Sequence, residues 1–410
     1  MADLQSLGKV FKSMQNSSAP PVNKAVNKEV NKPINRSVHQ RLSLHYFFYF
    51  AVLGALLPYI GLYFQSLNFT AIEIGQLLAV LLGTKIIAPN LWGWLADRSG
   101  LSVKWVRLAT GLTLVSALGL LWFDSFWGLF FTILFFSFFW HASLPQFESY
   151  TFGCLGDEKH RYGEIRLWGS VGFIAAVLLI GWQIEHFSIA WLPVDLFILL
   201  AVVWLSTYLV KDRARQHSEG LSSGFIDILK QPAVWSLLVV SFLVQLSHGV
   251  YYAFFTIHLS GLGYDKTTIA WLWALGVIAE VLVFYWMSLI FRSYSVRFLI
   301  LLSIVLTLIR WLMNAYLAES LLWMLVAQLL HAASFGLFHA AAIHLIDEHF
   351  KGQHHGKGQA IFAASSHGLG GALGMLIAGY AWTLGGAELS YGLSALAVFI
   401  SLIIAYRWVK

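Results

Sequence analysis

Five ionisable side chains stand inside long apolar stretches of this chain: Lys85, Glu148, Arg166, Glu280 and Arg310. An ion in hydrocarbon costs roughly 2.5–3.5 kcal/mol on insertion scales unless it meets a wet cavity or a partner, so such residues are candidates for binding and proton transfer. Three cations against two carboxylates leave one positive charge over, and an anionic ligand would balance it. Ion pairs that lock helices together are the other use of these groups, with Glu148–Arg166 and Glu280–Arg310 as the natural pairings. Imidazoles accompany the charges. Gln245, His248, Tyr252 and Phe255 recur at i, i+3, i+7 and i+10, one helical stripe. His331, Ser334, Phe335, Phe338 and His339 share one broad face, and Trp273 lies seven residues before Glu280 on its side of a helix. Rings and imidazoles along such faces suit a cavity that stacks an aromatic solute and moves protons; packing between helices uses the same stripes.

The elements that must hold these groups follow from charge. Of 26 Lys and Arg, only Lys85, Arg166 and Arg310 lie deep within apolar stretches, and only Lys266 lies on one set of loops. The remaining 22 occupy both ends of the chain, every second loop and the run ends that border those loops. That asymmetry is the positive-inside pattern of a polytopic membrane protein with cytoplasmic termini. The chain is 58% hydrophobic and 11% charged, against about 25% charged in a soluble domain. Apolar runs fall at 43–66, 73–95, 103–123, 127–151, 164–184 and 189–210, then at 233–261, 267–291, 296–317, 320–346, 358–384 and 388–408. Each is near the ~20 residues that cross a bilayer. The expected fold is therefore all-α: twelve transmembrane helices in two pseudo-symmetric six-helix bundles. Residues 1–41 form a basic cytoplasmic tail, 42–210 the first bundle, 211–232 a cytoplasmic linker and 233–410 the second bundle. In the tail, Lys24, Lys28, Lys32 and Arg36 repeat at period four. The two halves also look related. At an offset of 195, Gly54 falls on Gly249 and Lys85 on Glu280, and with a five-residue gap His141 falls on His331. Parallel six-span repeats of this kind hold a solute site at their interface.

The segment after the second run reads Gly93-Trp94-Leu95-Ala96-Asp97-Arg98-Ser99-Gly100. It resembles the G-x-L-A-D-R-x-G signature of the major facilitator superfamily, whose conformational gate loop it would be. Its glycines permit a tight turn, and Asp97 is placed to cap the next helix. The basic pair that usually follows is replaced by Leu101-Ser102. Three further stretches, Tyr162–Ser170, His248–Tyr252 and Gly276–Val281, resemble the phenylpropionic acid transporter family, which is similar to the oligosaccharide/proton symporters. Those symporters carry an acid at the end of span 4 and an Arg eighteen residues later in span 5; Glu148 and Arg166 match both. Their proton-linked cluster joins a span-8 acid, a span-9 Arg and a span-10 His, matched by Glu280, Arg310 and His331. The acid expected three residues after that His is Ser334 here.

The resemblance implies a proton-coupled carrier that takes up a small organic solute, such as an aromatic carboxylate, by alternating access. An oligosaccharide or nucleoside/proton symporter is the alternative. Lys85, Glu148, Arg166, His248, Tyr252 and Trp273 are the expected solute contacts. Glu280, Arg310, His331 and His339 are the expected proton-coupling groups, and no cofactor is implied beyond the proton. Partners are then the solute and the lipid bilayer, with the protein a monomer in the bacterial inner membrane. The formal charge of +6 reports topology and not nucleic-acid binding, because the basic residues sit between apolar runs. No constellation of a hydrolase surrounds Ser365-Ser366-His367, and no nucleotide loop is visible, so the chain is not read as an enzyme. Adjacent His354 and His355 diverge and lack a third metal ligand.

Overall fold

The computed structural model describes residues 36–211 and 225–409. Span 1 is Arg36–Ser66, span 2 Ala71–Ser99, span 3 Ser102–Trp122, span 4 Phe126–Leu155, span 5 Lys159–His186 and span 6 Ile189–Leu209. Span 7 is Pro232–Gly261, span 8 Lys266–Tyr285, span 9 Val296–Tyr316 and span 10 Leu321–His349. One last helix, His355–Trp408, is two spans merged, since Gly385 (φ −156°) and Gly386 (φ 57°) leave the helical region. Span 11 is thus 355–384 and span 12 is 387–408, which completes the twelve. Span 1 is already helical at Arg36, inside the stretch read as tail. Most of the basic repeat lies outside the described residues, as does 212–224 of the linker. Span 8 stops short of its apolar run: the helix ends at Tyr285, and Met287–Ser293 is a separate helix.

Local chemistry sets several helix starts. Thr70 and Glu73 form a reciprocal capping box at span 2, Asp265 accepts from the Thr268 amide at span 8, and Ser295 accepts from the Phe298 amide at span 9. The Thr268 hydroxyl and amide both donate to Asp265 and hold its carboxyl below the usual carboxylate range.

In the first half, span 1 packs on spans 5 and 6 and span 3 on span 4; in the second, span 7 packs on span 11. The halves meet along three seams: span 1 on span 7, span 2 on span 11, and span 5 on span 8. Small residues permit these approaches. A methyl at Gly75 would lie 2.8 Å from the Met375 carbonyl oxygen and 2.9 Å from the Gly379 Cα, so the span 2–span 11 seam closes only on hydrogens.

Five of the described spans interrupt their helices, span 3 at Leu118 near its end. Span 2 tightens to a 3₁₀ turn at Thr84–Ile86, and span 7 breaks at His248, between Pro232–Ser247 and Gly249–Gly261. Spans 10 and 11 widen to π-helix at Ala332–Leu337 and Ala364–Gly370. Each π turn rotates the side chains that follow it, and such turns concentrate at functional sites. The 3₁₀ turn of span 2 packs on the π segment of span 11, where a methyl at Gly368 would meet Ile86.

The signature Gly93–Gly100 differs from its expected form. Its residues up to Ser99 are the last turns of span 2, not a loop, and Gly100 (φ 69°) caps them. Asp97 stands within that helix, and the N-cap residue of the next one is Leu101. Ser99 helps to make the turn: its hydroxyl accepts from the Leu101 amide (3.3 Å) and the Trp105 indole N–H (2.6 Å). Arg98 lies over the Trp94 ring, 5.6 Å from its centroid.

Candidate functional site

The first half presents Glu148 and Arg166, both half-buried. No ion pair within 4.0 Å joins them, contrary to the pairing the spacing suggests. Glu148 instead accepts from the Tyr162 hydroxyl at 3.0 Å, and the Arg166 guanidinium carbon lies over Phe50, 3.7 Å from the ring centroid. The ring supplies a cation–π surface, which leaves the charge of Arg166 within reach of Glu148 in its own half and Glu280 in the other. Lys85 sits in the 3₁₀ turn of span 2. Its charge reaches His141 in span 4, whose Nδ1 is 2.9 Å from the Thr84 hydroxyl, and His339 and His367 in the second half.

The second half holds a denser arrangement. Arg310 is fully buried. Its Nε donates to the Ala327 carbonyl and its Nη1 to the Ser334 hydroxyl, each at 3.1 Å, and its guanidinium packs over Tyr251 (4.2 Å) and Trp311 (4.7 Å). The expected Glu280–Arg310 pairing is absent for that reason: carbonyl, hydroxyl and two rings occupy the cation. Ser334 replaces the acid that the symporters carry and serves Arg310 as a neutral acceptor. Glu280 faces His331, Oε2 to Nε2 at 3.9 Å, and a methyl at Gly336 in the π turn would press on its Cγ. Lys85 keeps to the His141, His339 and His367 side. The aligned repeat positions nevertheless behave alike, since Lys85 neighbours the span-4 histidine and Glu280 the span-10 histidine.

Aromatic rings wall this region. Tyr251 touches Trp273 (4.6 Å between centroids) and Phe255 (4.8 Å), and its hydroxyl donates to Gln328 at 2.9 Å. Tyr252 stacks with Trp273 at 6.4 Å and with His248 at 6.1 Å. Trp273 donates to the Thr256 hydroxyl, so only its ring is available to a solute. His248 is wholly buried and donates Nδ1–H to the Val244 carbonyl at 2.8 Å, which fixes Nε2 as an acceptor. His331, Phe335 and His339 form a parallel column, with interplanar angles of 9° and 6°.

The structure thus gathers Glu280, Arg310 and His331 with Tyr252, Trp273 and His248, and sets Lys85 and Arg166 across the seam. Sequence reasoning passed over Tyr251, Trp311, Gln328 and His367. Tyr251 lay in a quoted stretch but off the chosen stripe; His367 stood in the Ser/His triplet weighed only as a hydrolase remnant. The π turns, which bring Phe335 and His367 inward, have no sequence signal of the 3.6-residue kind.

Comparison with known proteins identifies the family that carries this fold. A Probable 3-phenylpropionic acid transporter of Escherichia coli (strain K12) is 29% identical over 356 residues, 83% of this chain and 90% of that protein. A maltose permease of Geobacillus stearothermophilus is 27% identical, over 89% of this chain and 94% of its own. The crystal structure of the nucleoside transporter NupG, in a mutant form, superposes with a TM-score of 0.80 at 18% identity, covering 90% of this chain and 98% of that one. At that identity the likeness shows the major facilitator fold. The model of the MFS_1 like family matches residues 39–393. The chain belongs to the MFS_1 like family, as a multi-pass membrane transporter of small solutes and not an enzyme.

Proposed function

We propose that this carrier takes up a small aromatic carboxylate, phenylpropionate-like, together with protons. One observation carries the reading: Arg166 and Arg310 lie over aromatic rings, and neither they nor Lys85 are joined within 4.0 Å to Glu148 or Glu280. A bound carboxylate would complete the charge balance, while Tyr252 and Trp273 offer faces for its ring. The 29% identical relative, a probable 3-phenylpropionic acid transporter, supports the same solute class. Glu280 and His331, 3.9 Å apart, are the proposed proton carriers, with Arg310 and His339 shaping their field. When the proton occupies Glu280, Arg166 is released toward the solute; when it leaves, Glu280 competes for the same cation. The cytoplasmic ends and the inner-membrane location belong to this proposal and rest on the basic loops.

Uptake of 3-phenylpropionate, maltose and uridine into proteoliposomes, with and without an inward proton gradient, tests the reading. Gradient-driven accumulation of the acid alone is expected. The other reading, an oligosaccharide or nucleoside/proton symporter, is favoured by Glu148 and Tyr162, whose carboxylate and hydroxyl suit sugar hydroxyls, and by the 27% identical maltose permease. Accumulation of maltose or uridine without the acid would establish it.

A further inference from the structure

One cluster is only partly absorbed by these roles. His339 of span 10 and His367 of span 11 stack at 5.4 Å with an interplanar angle of 28°. Phe335 and Phe362 flank both rings, at centroid distances between 5.9 and 6.3 Å. A small cavity opens beside them, to which Ser334, Ser366 and Gln245 also contribute. Nδ1 of each histidine is buried with no hydrogen-bond partner in the protein. A buried ring nitrogen left without a partner forfeits about 1–3 kcal/mol, so two of them at one cavity mark a place where a polar group belongs.

Charge tells which polar group. Lys85 stands across the seam and outside the cavity's own lining, in the 3₁₀ turn of span 2 that packs on the π segment holding His367, and its charge reaches both His339 and His367. Lys85 forms no ion pair or hydrogen bond among the described residues, and the carboxylates of the region lie elsewhere, Glu280 against His331 and Glu148 against Tyr162. The cluster has N–H donors, one full positive charge and no acid. Even a neutral imidazole has one N–H that its tautomer can turn toward an acceptor.

We propose that Lys85, His339 and His367 form an anion subsite across the span 2–span 11 seam, which receives the carboxylate of the solute while Phe335 and Phe362 shield it. The subsite rests on the reading of the solute as an organic acid and locates its charged end. It also joins the halves through the solute itself, since two of its donors belong to one half and the third to the other. Arg310 is then left to the packing and the proton cycle, while Arg166 passes between Glu280 and the solute.

Calorimetric binding of 3-phenylpropionate and of its neutral amide to the purified full-length protein tests this. Wild type should prefer the acid, and Lys85→Met, His339→Gln and His367→Gln should each weaken the acid by at least about tenfold with little change for the amide. His344→Gln, whose ring stacks on Phe291 away from the cavity, should leave both unchanged. Unfolding midpoints would verify that each variant folds. As a measurement that needs no variant, the acid and not the amide should shield Lys85 from an amine-acylating reagent, read by mass spectrometry. Retained acid preference in folded variants, or no shielding of Lys85 where wild type binds the acid, would overturn the subsite alone. No preference for the acid in wild type would overturn the proposed solute class and the subsite together.

Discussion

At the residue scale the chain separates its buried charges, giving each a different neighbour. Glu280 meets an imidazole, Glu148 a phenol, Arg166 a phenyl face and Arg310 a carbonyl, a hydroxyl and two rings. Solvation by rings and neutral dipoles leaves charge uncommitted, whereas closed ion pairs would cancel it. Glu280→Gln keeps the size and fixes the neutral form. It should abolish uphill accumulation under an inward proton gradient while solute exchange persists; accumulation equal to wild type would move the coupling role to His331. Removing the Tyr162 hydroxyl should matter less than removing the carboxylate it donates to. Tyr162→Phe is expected to cost about 1 kcal/mol of solute binding and Glu148→Ala about 1–3 kcal/mol, since only the second strips the field around Arg166. Comparable losses in calorimetry would contradict that ordering. These neighbours were only partly legible in the sequence. The eighteen-residue spacing of Glu148 and Arg166 correctly sets both near the junction of spans 4 and 5, but no spacing says that Phe50, from span 1, will intercept the guanidinium. A contact between residues 116 positions apart is a property of the packed fold.

At the element scale the irregular turns do the positioning. Apolar length and loop charge mark the spans, the widest misses falling at the start of span 1 and the end of span 8, because hydrocarbon thickness imposes them. The 3₁₀ and π turns were not legible: Thr84–Ile86 and Ala364–Gly370 obey no periodicity distinct from the helices they interrupt. Ser365-Ser366-His367 therefore read as a stray polar triplet, when the π geometry is what turns His367 toward Phe335 and His339. A π turn carries about one residue more than an α turn of equal rise, so deleting Ser365 should restore α-helix and swing His367 by roughly 100°. Transport should fall to background while the protein still reaches the membrane and unfolds cooperatively. Wild-type uptake by the deletion variant would show the turn to be incidental. Capping is simpler to test: Thr70→Ala removes the box at span 2 and should lower stability by about 1 kcal/mol, measured by denaturant unfolding in detergent.

For the whole molecule, the seams that hold the halves together are also the surfaces that alternating access must part. Close backbone approach at Gly75 and Gly379 makes the span 2–span 11 seam intolerant of side chains. Gly75→Val should wedge it and bias the carrier toward the state in which this seam is open, with faster labelling of a cysteine placed there and slower net uptake. Unchanged labelling would mean that this seam does not gate. The topology proposal is open to a direct test with Cys154 replaced by serine: a membrane-impermeant thiol reagent added from outside should reach Leu262→Cys but not Gly356→Cys. The reverse pattern would invert the assignment.

The connection between the last two spans has a mechanical meaning. Only Gly385 and Gly386 separate the helices, so three peptide steps at ~3.6 Å each tether Leu384 to Ala387 within ~11 Å however the protein moves. Spans 11 and 12 form a hinge pin with almost no slack at that end, and Gly386 holds a backbone conformation that a side chain would strain. A solute cannot leave between them on that side. Whatever opens there must open along the seams, where spans from different halves share no covalent tether and are free to part.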